Sequence, residues 1–315
     1  MHQPHIALVS ARAAQDLDED LAPLRRALEE AGARAVVANW DDPEVDWGSF
    51  DLALLRSTWD YSFRMPEFRA WADVVSSVSR LLNPLSVVTW NTDKHYLAEL
   101  EGRGVPIVPS VFIEPSGGPT DAPSAGAPRE SAREPEREAI VRFLEEHGTA
   151  REIVVKPAVG SGSRDVQRHP RTDLAAIRAH VARLTSSGRS AFLQPYLERV
   201  NTQGETALMY FAGRYSHAVR KGPLLRAGEG PTQLLFAPEE ITPRVAAPEE
   251  LAVADRVLAA TPGAPLLYAR VDLIRDDADQ PRLLELELTE PSLFFNYAPG
   301  SAQRFAREII NIALV

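Results

Sequence analysis

Apolar positions along this chain fall into short unbroken runs that alternate with runs at helical spacing. Residues 5–10 (HIALVS) read as a strand, and Leu17, Leu21, Leu24 and Leu28 then predict an amphipathic helix over 16–31, stopped by Gly32. A second strand follows at 34–38. A third apolar run, Leu52 to Leu55, ends in the polar cluster Arg56, Ser57, Thr58, Trp59, Asp60, Tyr61, and a helix starts after Pro66. Strand, helix, strand, strand-then-loop predicts a small parallel α/β unit, in which ligands sit beyond the carboxyl ends of the strands. Residues 114–138 carry five prolines, three glycines and no large apolar side chain, so they cannot bury a face and read as a flexible surface insertion. Beyond them the pattern predicts a helix near 136–147, a buried strand at 152–156, a Gly/Ser loop, a helix at 173–186 and a strand at 191–194. Strands at 205–211 and 214–220 are joined by Ala212-Gly213. A helix at 248–260, strands at 266–275 and 282–288, and an amphipathic helix at 301–314 complete the pattern.

Composition narrows the chemistry. The 315 residues suffice for about two domains, and 44% hydrophobic with 25% charged residues is the balance of a globular protein. No apolar run is long enough to span a bilayer and the first residues lack an export signal, so the expected location is the cytoplasm, away from membranes. The absence of cysteine excludes disulfide scaffolds, thiolate metal sites and cysteine nucleophiles. A net charge of −10 disfavours nucleic acid as a partner. Among 34 basic residues 31 are arginine, so Lys94, Lys156 and Lys221 stand out as positions where a compact ammonium is wanted.

Three constellations carry chemistry. The first is a strand ending in Lys156 and followed by Gly160, Ser161, Gly162 and Ser163, a loop that can bring backbone N–H groups to phosphate oxygens. It lacks the Gly-Lys-Ser/Thr of a Walker loop, the third glycine of a dinucleotide fingerprint and the G-x-S-x-G of a hydrolase elbow; a plain glycine-rich turn is the competing reading. The second, Gln194-Pro195-Tyr196-Leu197-Glu198, is a strand edge broken by proline that can offer one N–H and one C=O to an adenine edge. In the third, Arg270 and Asp272 share one face of a strand, as Glu285 and Glu287 do on the next. If the strands pair, three carboxylates and a guanidinium converge, which suits Mg²⁺ bridging substrate phosphates. An acidic outer face of a hairpin is the alternative.

Taken in order with Asn91-Thr92-Asp93-Lys94, these residues resemble the ATP-grasp superfamily, from about residue 83 to the C-terminus. The resemblance implies an α/β (α+β) ATP-grasp fold: an N-terminal Rossmann-like domain at 1–90, a central subdomain at 91–190 interrupted by 114–138, and a C-terminal subdomain at 191–315. It implies that Lys94, Lys156 and the loop Gly160 to Ser163 contact ATP, that Gln194, Pro195, Tyr196 and Leu197 form the adenine hinge, and that Glu198 and Glu205 belong to the nucleotide site. Arg220, Lys221 and Arg270 would neutralise the transferring phosphate. Asp272, Glu285 and Glu287 would hold two magnesium ions, although relatives often have asparagine at the third position.

The Arg56 to Tyr61 cluster, with Leu286-Glu287-Leu288-Thr289-Glu290-Pro291-Ser292, looks more specifically like the branch containing the O-ureidoserine cyclo-ligase of cycloserine biosynthesis. That branch implies a carboxylate–amine ligase or cyclo-ligase acting on a small amino-acid-like substrate, held by Arg56, Ser57, Thr58, Asp60, Thr289 and Ser292. A nucleotide-binding regulatory or scaffold protein of the same fold is the alternative, and the sequence leaves the oligomeric state open.

Overall fold

Three sheets carry the chain in the computed structural model, which describes residues 2–14, 16–115, 134–226, 228, 230, 239–263 and 265–314. The first is parallel throughout and is built from β1 (His5–Ser10), β2 (Arg34–Asn39), β3 (Leu52–Ser57) and β4 (Arg80–Leu82), in the order β2-β1-β3-β4. Its helices are α1 (Leu21–Glu30) and α2 (Met65–Val78). Helix α1 is shorter than the leucine spacing predicts. It starts at Leu21, leaving Leu17 47% exposed in the preceding turn, because the Asp20 carboxylate at the helix entrance is taken up by a distant loop.

Two short helices, α3 (Leu85–Asn91) and α4 (Tyr96–Gly102), lead into the second sheet. That sheet is antiparallel, in the order β5-β8-β6-β7, with β5 (Val111–Ile113), β6 (Glu152–Pro157), β7 (Gln167–Pro170) and β8 (Ala191–Pro195). One face is covered by α5 (Glu134–Glu146) and α6 (Leu174–Thr185), whose Ile140, Phe143, Ile177 and Val181 meet Ile153, Val155 and Leu193 in one core. The insertion expected at 114–138 falls mostly on 116–133, outside the described residues.

After the single turn α7 (Val200–Gln203), the third sheet is also antiparallel. It runs β11-β10-β9-β12-β13, from β9 (Glu205–Phe211), β10 (Arg214–Lys221), β11 (Ile241–Arg244), β12 (Tyr268–Arg275) and β13 (Pro281–Glu287). The β9–β10 hairpin closes over Ala212 and Gly213, both at positive φ (47° and 74°), the pair of left-handed residues that a tight two-residue turn requires. Both faces of this sheet are buried, which is why its central strands read as continuous apolar runs rather than alternating ones. On one face α8 (Pro248–Ala260) and α4 pack through Ala254, Val257, Leu97 and Leu100. On the other, α9 (Ser301–Ala313) lies against α1, so Phe305 and Ile309 share a core with Ile6, Leu24 and Leu28 of the first layer and Met209 and Tyr268 of the third sheet.

Asn83 pins the first layer to the third sheet. Fully buried, its amide donates to the carbonyls of Tyr268 (3.0 Å) and Leu288 (2.7 Å) and accepts from the Leu267 N–H (2.8 Å). Asn83→Ala strands all three backbone groups, and the expected loss of stability is about 2–4 kcal/mol in urea unfolding. A loss below about 1 kcal/mol would mean that water replaces the amide and that the pin is dispensable. Among the described residues no helix is long and apolar enough to cross a membrane.

Candidate active site

Strand ends and the loops that follow them bring charged side chains to one cavity between the second and third sheets, with one wall from the first layer. Strand β6 delivers Lys156, and the chain turns directly afterwards into Gly160–Ser163. The end of β8 supplies Gln194 and Pro195, followed by Tyr196 and Leu197. Paired strands do the rest: β9 and β10 place Glu205 opposite Lys221, and β12 and β13 place Arg270 opposite Glu287 and Asp272 opposite Glu285.

The cations and carboxylates interleave. Lys94 Nζ lies 2.9 Å from Glu285 Oε1 and donates to the Gly160 carbonyl at 2.8 Å. Lys221 Nζ sits among Asp272 (3.1 Å), Glu205 (3.4 Å) and Glu239 (3.6 Å). Arg270 clasps both oxygens of Asp272 at 2.8 Å, reaches Glu287, and donates to the Ser292 carbonyl at 3.2 Å. Lys156 has a different setting, over the face of Phe192 with its nitrogen 5.0 Å from the ring centre.

These settings move the titrations in opposite directions. Burial, helped by Lys94 and Lys221, lowers the Lys156 ammonium to about 8. Burial also works against Lys94, but the Glu285 carboxylate outweighs it and holds the ammonium above its ordinary value. Glu285 is pushed up by burial and pulled down further by Lys94 and Lys156, and ends below the usual range. Burial raises Glu287 to about 8 despite Arg270, with Asp272 and Glu285 adding to the rise. It raises Glu290 to about 7, against the Tyr61 hydroxyl and Lys94.

Most residues expected to bind nucleotide line this cavity: Lys94, Lys156, Gly160, Ser161, Gly162, Ser163, Gln194, Pro195, Tyr196, Leu197 and Glu205, and with them Lys221, Arg270, Glu285, Glu287 and Ser292. Others stand elsewhere. Arg220 alternates with Lys221 along β10 and donates to the Gln203 carbonyl (3.1 Å), away from the cavity. Glu198 points outward and pairs with Arg151 at 3.5 Å. Asp272 lies behind the wall, its carboxylate taken up by Arg270 and Lys221, which hold it below the usual range against the opposing effect of burial.

The expected substrate residues of the first layer also diverge from the cavity. Arg56 is fully buried and donates to the Pro291 carbonyl at 2.6 Å. The Ser57 hydroxyl pairs with Ser10 (2.8 Å), Thr58 is fully buried, and Asp60 accepts from Trp40 (2.8 Å) and Arg64 (3.4 Å). Thr289 is buried against Asn91 (3.4 Å). Of these, Arg56 helps seat the loop after β13. Arg56 holds Pro291, Trp59 Nε1 donates to the Glu290 carbonyl at 3.1 Å, and Asp20 accepts from the N–H groups of Leu293, Phe294 and Phe295. Phe294 sits at φ 53°, a left-handed conformation that this clamp sustains.

The small-residue loop rests on the same layer. Ser161 Oγ donates to the Trp59 carbonyl at 2.6 Å, and the Arg164 guanidinium stacks 4.0 Å over Phe63. Behind it, Arg183 and Arg189 each hold Asp165 at 2.7 Å. Two lining carboxylates are not among the expected site residues, Glu239 and Glu290. Glu290 lies inside a segment that the motifs span; Glu239 follows a proline-rich stretch without any pattern.

Among the described residues no three acidic or histidine side chains form a ready-made metal cage. Mg²⁺ seldom uses one; it keeps waters and takes one or two carboxylates together with substrate phosphates. Glu285 and Glu287, hard oxygen donors two positions apart on β13 and both on the cavity wall, fit that chemistry.

Comparison with known proteins shows the family. The family model described as D-cycloserine synthetase DcsG, N-terminal domain, matches residues 6–83. The cycloserine biosynthesis protein DcsG of Streptomyces lavendulae is 38% identical over 311 residues, covering 96% of this chain and 97% of the relative. The crystal structure of D-cycloserine synthetase DcsG superposes with a TM-score of 0.87 at 36% identity, over 98% of this chain and 99% of that one. A D-alanine–D-alanine ligase from Bacillus anthracis, complexed with ATP, shares the fold alone, at TM-score 0.63 and 14% identity, over 100% of this chain and 98% of that one. By the extent and identity of the DcsG match, this chain belongs to the D-cycloserine synthetase DcsG family of ATP-grasp ligases.

Proposed function

We propose that this chain is an ATP- and Mg²⁺-dependent cyclo-ligase that activates the carboxylate of a small amino-acid-like substrate as an acyl phosphate and closes a C–N bond within that molecule, as in the formation of D-cycloserine from O-ureido-D-serine. The observation that carries this reading is the meeting of Lys94, Lys156, Lys221 and Arg270 with Glu285 and Glu287 beside the Gln194–Leu197 segment, in a chain matched end to end by DcsG.

Gln194 to Leu197 present strand-end backbone to the adenine. Lys156 and Lys94 take the phosphates, and the Gly160–Ser163 loop covers them, with its Ser161 hydroxyl on the first layer as a stop. A substrate carboxylate oxygen attacks the γ-phosphorus as the bond to ADP breaks. Arg270, already aimed into the cavity by Asp272, stabilises charge on the transferring phosphoryl group and then on the acyl oxygen as a substrate nitrogen displaces phosphate. Lys221 sits beside it and neutralises the same charge. Two Mg²⁺ ions, held by Glu285 and Glu287 with Asp272 in support, would supply further neutralisation of the phosphates.

The test is product analysis of purified protein with ATP, Mg²⁺ and O-ureido-D-serine. Stoichiometric ADP, phosphate and a cyclised product are expected, the carbamoyl group of the ureido substituent leaving with water as carbon dioxide and ammonia. Stabilisation by a non-hydrolysable ATP analogue with no phosphate release across a panel of amino acids and derivatives would instead favour a regulatory nucleotide-binding protein.

A further inference from the structure

Five carboxylates line the cavity, and four of them already have cations. Glu205 and Glu239 pair with Lys221, Glu285 with Lys94, and Glu287 with Arg270. Glu290 is the exception: among the described residues no lysine, arginine or histidine nitrogen comes within ion-pair distance of it. The largest influence favouring its charged form is neutral, the buried Tyr61 hydroxyl. Glu290 is only 9% exposed, and what exposure it has is to the cavity. A buried carboxylate with no cation is costly in the empty protein.

This cost is built in. The Glu290 backbone is fixed by Trp59 Nε1 on its carbonyl and by Arg56 on the next one, and the loop beyond is clamped by Asp20. Nothing in the ATP polyanion would satisfy Glu290, because phosphates seek the lysines and Arg270 and are repelled by a carboxylate. A group that suits it is small and cationic, has N–H donors, and arrives with the second ligand of the cavity.

We propose that Glu290 is the binding subsite for the primary ammonium of the substrate, so that the amino-acid-like molecule is held by its amino group on the Glu290 wall while its carboxylate faces Arg270. This rests on the functional reading above and adds the group that selects an amino acid over a plain carboxylic acid. Ammonium and carboxylate of the substrate are thereby held on two walls, Glu290 from the loop after β13 and Arg270 from β12, which fixes the reacting oxygen relative to the phosphates.

Glu290→Gln keeps the shape and removes the charge. The comparison uses O-ureido-D-serine and its analogue lacking the α-amino group, each titrated calorimetrically with ADP and Mg²⁺ present and each assayed for ATP-dependent phosphate release. In the native protein the amino compound is expected to bind at least about 30-fold more tightly than the deaminated one. Glu290→Gln abolishes that preference by weakening the amino compound alone, and leaves the ATP KM and the Mg²⁺ midpoint within about twofold. Tyr61→Phe shifts the preference in the same direction by a smaller factor.

Equal losses with both compounds would overturn the proposal and point to a proton-transfer role, and a shifted Mg²⁺ midpoint would overturn it in favour of a metal carboxylate. Unchanged discrimination in Glu290→Gln would refute it outright. If the native protein binds the amino compound selectively but makes no product, the cyclo-ligase reading fails while the subsite stands. If it turns over both compounds alike, the subsite fails while the ligase reading stands.

Discussion

Glu285→Gln is expected to lower turnover by about 1,000-fold or more while ATP affinity stays within a few-fold of the native protein. The asymmetry follows from the partners of Glu285. In the free protein its carboxylate lies 2.9 Å from Lys94, whose pKa it raises, and it repels the triphosphate that shares the cavity. Removing that charge frees Lys94 for the phosphates, which offsets the lost metal ligand in the binding step. The reaction has no such compensation, because neutralisation of the transferring phosphoryl group is needed most in the transition state. Calorimetric binding of a non-hydrolysable ATP analogue and phosphate release under saturating substrate separate the two, and the Mg²⁺ requirement is expected to rise. Affinity falling in step with turnover would show that Glu285 holds nucleotide rather than serving the reaction.

Lys156→Ala has the opposite signature, a loss of nucleotide affinity of about 100-fold or more. Lys156 is not committed to a carboxylate in the free protein, and burial, with Lys94 and Lys221 nearby, has lowered its ammonium to about 8. A phosphate oxygen restores the charge, so nucleotide binding takes up a proton above that pH. The sign is therefore fixed: affinity is greatest below pH 8 and falls by up to about tenfold per unit above it, until the pKa of the complex is reached. A native binding profile with this break near 8, absent from Lys156→Ala and from Lys156→Arg, whose guanidinium does not titrate in this range, is the expected result. A break that survives in both variants would assign it to another group.

The half of the cavity proposed to take the nucleotide is legible in the sequence because each part is local. Lys156 and the Gly160 to Ser163 loop are consecutive, Gln194 to Leu197 are one strand end, and the Arg270 and Glu285/Glu287 positions follow from a period of two on neighbouring strands. The same period places Arg220 on the face opposite Lys221, so adjacent cations on a strand cannot both serve one cavity. The polar cluster from Arg56 to Tyr61 meets the Leu286–Ser292 segment read beside it, but through long-range bonds that no local pattern announces. Arg56 meets Pro291 across 235 positions, and Asp20 meets Phe295 across 275. Those bonds hold the loop after β13 from behind the cavity. Glu290 itself lies three residues past Glu287, where the strand has ended and alternation no longer says which way a side chain faces.

Packing of α9 against α1 has a consequence for synthesis. The first sheet leaves the ribosome early, yet Phe305 and Ile309, which complete its core, emerge roughly 250 residues later, a wait on the order of 12–50 s at ordinary elongation rates. Until then the apolar side of α1 with Leu24 and Leu28 lacks its cover, so nascent chains truncated before residue 300 should bind holdase chaperones and be cleaved readily in the first layer. Helix α9 is the element that lets the first layer, made well before it, stop exposing its interior.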